Sequence, residues 1–108
     1  MKAEEYLKRI KKLIKSLAIS VVDVVDEDDI DWESIKFKLL ILAEDGSYCL
    51  EFESKDEDGE IYIHLASEGI QETIQQMWKT GMSLRDPWNG FKLTVDEDGE
   101  VKTKFYYE

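Results

Sequence analysis

The pattern most suggestive of chemistry is "DEDGE", which occurs twice, at 56–60 and 96–100. Acidic oxygens on alternate residues ahead of a glycine are how a calcium-binding EF-hand loop begins. That loop needs oxygen ligands at its first, third and fifth positions, glycine at the sixth, and a glutamate at the twelfth. With Gly59 sixth, Ser54, Asp56 and Asp58 supply the first ligands, but Leu65 stands twelfth. With Gly99 sixth, Thr94 opens the loop and Phe105 falls where the closing glutamate belongs. Neither shell can close, so both segments read as solvated hairpin turns.

Nucleophilic chemistry has little to draw on: one histidine, His64, and one cysteine, Cys49. The strand registers derived below point His64 away from the core beside Glu53, with Cys49 near Leu42 at the far end of the same face, so the two do not meet. Glu51 and Glu53 imitate a glycosidase pair only by being two apart on one strand, an ordinary event in an acid-rich chain. No paired cysteines, histidine cluster or glycine-rich phosphate loop is present. The expectation is a chain without catalytic residues, metal or cofactor, and not an enzyme. A lone cysteine cannot form an internal disulfide, which agrees with a reducing compartment.

Charge is more informative. The chain of 108 residues has 25 acidic and 14 basic side chains, a net of −11. Residues 1–15 carry Lys2, Lys8, Arg9, Lys11, Lys12 and Lys15 against Glu4 and Glu5, so the acid excess falls on the rest of the chain. An acidic body repels phosphate backbones and anionic membrane surfaces and speeds encounter with basic partners. Nucleic acid and membrane are therefore not expected as partners. No apolar run approaches the roughly 20 residues of a membrane span, and no signal-peptide pattern opens the chain, so a cytoplasmic protein is expected.

These residues need a scaffold. Length allows one domain, 1–108, burying roughly 65% of the surface its unfolded chain would expose. Ala3, Tyr6, Leu7, Ile10, Leu13, Ile14, Leu17 and Ala18 follow helical spacing, with lysines opposite. The spacing predicts a helix to about Val25, although the β-branched "ISVVDVV" suits a short strand equally well. "DEDDID", 26–31, is too charged for a core element and reads as a solvated loop.

After Trp32 the period changes to two: Ile35, Phe37, Leu39, Ile41 and Ala43 on one strand, then Tyr48, Leu50 and Phe52 on the next. A two-residue turn at Asp45-Gly46 sets Leu39 opposite Phe52 and Lys38 opposite Glu53. The same rule at Asp58-Gly59 sets Ser54 opposite Ile63 and Phe52 opposite Leu65, with Tyr62 on the outer side. At Glu97-Asp98-Gly99 a three-residue loop with a glycine bulge matches the faces better, placing Val95 opposite Val101 and Phe91 opposite Phe105, with Tyr106 outward. Between third and fourth strands Ser67 caps a helix with Ile70, Ile74, Met77 and Trp78 on one face, ending near Gly81. Trp32 and Trp88 are expected to cover the ends of the sheet. The predicted fold is α+β in two layers, in the order α-β-β-β-α-β-β, with both helices over one face of a five-stranded antiparallel sheet.

"PWNGFKLTVDEDGEVKTKFYYE", 87–108, resembles the C-terminal signature of the YezG-like immunity proteins, in which Pro-Trp leads through an acidic turn to a strand ending on aromatics and an acid. "IDWESIKFKLLILAEDGSYCLEFESKDEDGEIYIHL", 30–65, is similar to that family's Trp-led run of strands. The first helix is longer here, and "SVVDVVDEDD" has no counterpart. The resemblance implies a cytosolic antitoxin that binds and blocks the toxic domain of a secreted or contact-delivered bacterial toxin, often a nuclease, and it brings no catalytic residues. Together with the charge it points to Asp26, Glu27, Asp28, Asp29 and Asp31 as contacts to a basic toxin domain. The alternative is an acidic protein that mimics nucleic acid or regulates another basic partner. Oligomeric state is not set by the sequence.

Overall fold

In a computed structural model of the protein, residues 3–28, 34–40, 51–82, 88 and 90–107 are described, with 3, 39 and 40 described by backbone alone. The first element is helix α1, Ala3–Glu27. Ile10, Leu17, Val21 and Val25 recur at helical spacing and are buried. The β-branched stretch that could have been a strand is therefore helical, because burying Val21 and Val25 outweighs their weak helix propensity. The helix runs two residues past the expected end. Asp26 and Glu27 thus belong to its last turn and not to the expected loop over 26–31, of which 29–31 lie outside the described residues. Glu4 and Glu5 suit the first turn, whereas the last turn has acids and no base. The macrodipole is opposed at that end alone.

Five strands follow the predicted order around the second helix: β1 (Ser34–Leu40), β2 (Glu51–Lys55), β3 (Ile61–Leu65), α2 (Glu68–Gly81), β4 (Gly90–Asp96) and β5 (Val101–Tyr106). They form one antiparallel sheet in the spatial order β3-β2-β1-β4-β5. This is the predicted α+β arrangement. Ile35, Phe37, Phe52, Phe91, Leu93 and Val95 line its covered face and join the buried sides of α1 and of Ile70, Ile74 and Met77 on α2 in one core. Ser67 caps α2 as expected, its hydroxyl accepting from the Ile70 amide at 3.3 Å. Trp78 is only partly buried against that core. Trp88 is buried against Phe91 and Phe105, at the start of β4 and the end of β5.

Two registers differ from expectation. Phe52 pairs with Phe37, not Leu39, and Glu53 with Lys36, not Lys38. The shift is by two, so each side chain keeps its face. It brings Phe37 within 5.8 Å of Phe52, and the β1–β4 pairing sets Phe91 6.0 Å from Phe37 on the other side, ring centre to ring centre, a continuous aromatic ladder through the middle of the sheet. The Asp45-Gly46 turn lies outside the described residues, as do Cys49 and Trp32.

The second difference is a shift by one, which exchanges faces. Ser54 pairs with Tyr62 and Phe52 with His64. The 56–60 turn has a three-residue loop, not two: the Asp56 amide donates to the Glu60 carbonyl at 3.0 Å, and Gly59 sits at φ 85°. The 96–100 turn has the same bonds, with Gly99 at φ 82°. There the predicted register holds, with Val95 opposite Val101 and Phe91 opposite Phe105. Identical pentapeptides build identical glycine-bulge loops. In the first hairpin the loop overrides the hydrophobic pattern, leaving Ile61, Ile63 and Leu65 exposed by 62, 66 and 75% and turning His64 inward.

Candidate functional site: an acidic end and a buried histidine

The strand order assembles what the sequence scatters. Ser34, at the start of β1, pairs with Lys55 on one side and Asp96 on the other. Both DEDGE turns therefore hang from the same end of the sheet. From α1, Asp23 lines one groove with Glu97 and Asp98 of the second turn, and further on Asp28 contacts His64, four residues along β3 from the first turn. Four acids come from α1 and its last turn (Asp23, Asp26, Glu27, Asp28), four from each hairpin turn. Of the five expected contact residues, Asp26 and Glu27 are exposed here, Asp28 is half exposed and already bonded, and Asp29 and Asp31 lie outside the described residues. Read one hairpin at a time, the turns give no sign of sharing an end. The signal lies in strand order, which local patterns do not encode.

Each turn is rigid because its first acid serves its own backbone. Asp56 Oδ1 accepts from the amides of Asp58 at 3.0 Å and Glu60 at 2.8 Å. Asp96 repeats this at 3.1 and 2.9 Å. Glu57, Asp58, Glu97 and Asp98 then project into solvent. Slight burial raises the Asp56 pKa, but bonds from the Glu60 amide, the Tyr62 hydroxyl and the Asp58 amide outweigh it and hold the carboxyl below its usual range. Among the described residues no group of histidine, cysteine or carboxylate side chains is arranged to hold a metal.

Tyr62 shares this network, donating to Asp56 Oδ2 at 2.9 Å and Glu60 Oε2 at 3.1 Å. The bonds to Asp56 and then Glu60 push its phenol up to about 12 from an ordinary 10.0. A raised tyrosine pKa stabilises the fold in full below the ordinary value, and that contribution disappears as pH rises through about 12. An ultraviolet alkaline titration should show one tyrosine titrating near 12, and Tyr62→Phe should remove it. If every tyrosine titrates near 10, the turn network is wrong.

His64 corrects the sequence reading outright. It is 3% exposed, and its ring is stacked on Phe52 at 5.0 Å. Ser54 Oγ lies 2.7 Å from Nε2, and Nδ1 lies 2.6 Å from Asp28 Oδ2. The connectivity is that of a serine–histidine–aspartate triad, in which the aspartate fixes the ring and Nε2 faces the hydroxyl. The hydroxyl, however, faces the core, with Ser54 1% exposed. A cavity of about 30 Å³ touches Ser54, room for about one water molecule and no substrate. What the arrangement does is tie the end of α1 to β3 through a fully bonded buried histidine.

The uncovered face of the sheet departs from a uniformly acidic exterior. Lys38, Lys92 and Lys104 stand directly opposite one another on β1, β4 and β5, and Lys36 and Lys102 flank Thr94 in the next row. Lys104 Nζ lies 5.5 Å from the ring centre of Tyr106, which faces outward as expected. Tyr62 faces inward instead, its register reversed by the bulged turn. Acid is thus concentrated at one end while this face is basic. Compared with known proteins, the chain matches no protein-family model and no curated protein.

Proposed function

We propose that this chain acts by binding, as an immunity protein that captures and neutralises a basic toxin domain at its acidic end. The observation that carries this is that two rigid turns share one end of the sheet, with Asp23 of α1 beside the second and carboxylates projecting outward. Charge fixed on rigid turns steers encounter without the cost of ordering a loop. The resemblance to YezG-like proteins agrees with it, as does a Ser54 hydroxyl that no substrate can reach. A nucleic-acid mimic fits less well, because a mimic spreads negative charge along a surface and here the adjoining sheet face carries lysines.

No described helix is long and apolar enough to cross a membrane. The cytoplasm, where an antitoxin would meet an imported toxin, is part of the same proposal. The test is capture of the partner from the native cell, followed by binding kinetics. Replacing Asp26, Glu27, Glu57, Asp58, Glu97 and Asp98 by their amides, with Asp28 kept for His64, should slow association about tenfold to a hundredfold at low salt and flatten its salt dependence. Its thermal midpoint should stay within a few degrees of the parent's. Unchanged kinetics, or a partner that is neutral or anionic, would remove the acidic end from the site.

A further inference from the structure

On the outer side of α1 every fourth residue from Lys11 to Glu27 is exposed: Lys11, Lys15, Ile19, Asp23 and Glu27. Residues at that spacing form one ridge on a helix surface, here about 24 Å long. Ile19 stands at its middle and is 55% exposed. The ridge is basic on one side of Ile19 and acidic on the other, so turned end for end it is its own complement.

We infer that the protein forms a weak two-fold dimer through this ridge, the α1 helices of two copies antiparallel and Ile19 of one against Ile19 of the other. Lys15 then stands level with the second copy's Asp23, and Lys11 with the second copy's Glu27. Symmetry makes each of these pairs occur twice. Ridges of this spacing lie alongside one another when two helices cross at about 50°, the commonest class of helix contact.

The charge pattern selects a second copy over a foreign helix. Between Ile10 and Glu27 the helix carries six charged residues, Lys11, Lys12, Lys15, Asp23, Asp26 and Glu27. The one register that centres on Ile19 sets every one of them against its opposite, Lys12 facing Asp26. Asp28, the next acid, falls level with buried Ile10, and Asp28 is already bonded to His64. The matched set thus ends where internal use of the acids begins. A foreign helix would have to bring such a set of its own, whereas a second copy holds it in place.

The same contact accounts for what α1 lacks by itself. Lys11 and Lys15 are four apart on one helix, as are Asp23 and Glu27, and such like-charge pairs weaken an isolated helix. Acids at the α1 C-terminus also oppose its dipole. Among the described residues the His64–Asp28 contact is the one ion pair, so none of the six charges is compensated within the chain. Lysines of a second copy relieve both features. The ridge lies opposite Ile10, Leu17, Val21 and Val25, which face the core, so the two copies meet back to back. The exposed side chains of Ile61, Ile63 and Leu65 on edge strand β3 offer a rival surface, but a strand edge accepts any extended apolar segment and carries no matched charges. One isoleucine per copy and exposed ion pairs make an association that is weak and sensitive to salt. The dimer takes up the acids of α1 and leaves Glu57, Asp58, Glu97 and Asp98, which lie off the ridge, to the docking proposed above.

Sedimentation equilibrium of the full chain tests this. At low salt the parent should dimerise at concentrations up to about 1 mM, with a dissociation constant that rises at least about tenfold on going to about 0.5 M salt. Lys15→Glu and Asp23→Lys should each weaken it at least about tenfold, because each turns two attractive contacts into two repulsive ones. Asp23→Lys makes the chain less acidic, so a general effect of net charge would tighten the dimer instead. Mixed in equal amounts, the two variants should form a heterodimer within about threefold of the parent's affinity, since each offers the charge the other lacks. The double variant, whose net charge equals the parent's, should recover self-association to the same extent. Ile19→Gln should weaken the dimer about fivefold, and amides in place of Glu57, Asp58, Glu97 and Asp98 should leave it unchanged, which separates the dimer from docking at the turns. A thermal midpoint near the parent's shows that each variant is folded. A parent that stays monomeric at about 1 mM in low salt overturns the inference. So does a dimer indifferent to Lys15→Glu and Asp23→Lys, a mixture no tighter than its components, or a dimer that Ile63→Lys dissociates, since β3 is then the interface.

Discussion

Replacing His64 by leucine is expected to lower stability by about 2 to 4 kcal/mol, and adding Ser54→Ala to that variant should restore most of the loss. Leucine keeps an apolar body against Phe52, so packing accounts for the smaller share of the cost. The larger share comes from Ser54, 1% exposed, whose hydroxyl would lose its partner at 2.7 Å. A buried polar group left without a bond costs about 1 to 3 kcal/mol. Asp28 behaves differently. Its side chain is half exposed and regains water once His64 is gone, so Asp28→Asn should cost less than the histidine change. Removing both Ser54 and His64 polar groups leaves an apolar contact, which is why the double variant should recover. A double-mutant cycle in urea measures this directly. A double variant as unstable as His64→Leu alone would mean that the histidine acts through its shape and not through its bonds.

That variant concerns the residue the sequence placed least well, and the reason is specific. Order, element types and both helices were legible because their signals are local: helical spacing at Ile10, Leu17, Ile70 and Ile74, a capping serine at 67, and alternation on either side of the turns. The β4–β5 register was legible because the glycine bulge and the hydrophobic pattern agree there. At 56–60 they conflict. Pattern favours Ile61, Ile63 and Leu65 inside, whereas Asp56 bonds its own turn's amides and fixes the bulge. The turn prevails, and one residue of register moves His64 from surface to core. The second "DEDGE" held the answer to the first, since the same five residues in the same hairpin context make the same loop.

The candidate site was legible in kind and not in extent. Asp26 and Glu27 were marked by charge density, and both are exposed in the last turn of α1. The turns that complete it were recognised as turns and set aside, because what gives them weight is adjacency across β1. The lysine rows on the bare face were hidden for the same reason: Lys38, Lys92 and Lys104 are far apart in sequence and next to each other only once the strands are ordered.

Gly81→Ala should destabilise the protein by about 1 to 3 kcal/mol, against the usual gain of nearly 1 kcal/mol when alanine replaces glycine in a helix. Gly81 has no left-handed backbone to protect. What it supplies is space: a Cβ there would lie 2.5 Å from Trp88 Nε1 and 2.8 Å from Cε2. The indole cannot step aside, because it is 2% exposed, edge-on to Phe91 at 5.7 Å and 5.2 Å from Phe105. Moving it would disturb the aromatic group that joins the end of α2 to β4 and β5. Trp88→Phe removes the atoms in conflict, and with them an indole N–H that has no hydrogen bond among the described residues. It leaves a cavity of its own, so alone it should also destabilise. Combined, the two changes should cost less than the sum of their separate effects, the smaller ring making room for the new methyl group. Urea unfolding of the four proteins supplies the cycle. Additive losses, or a Gly81→Ala protein more stable than its parent, would show that α2 can shift away from Trp88 and that the contact does not lock the helix to the sheet.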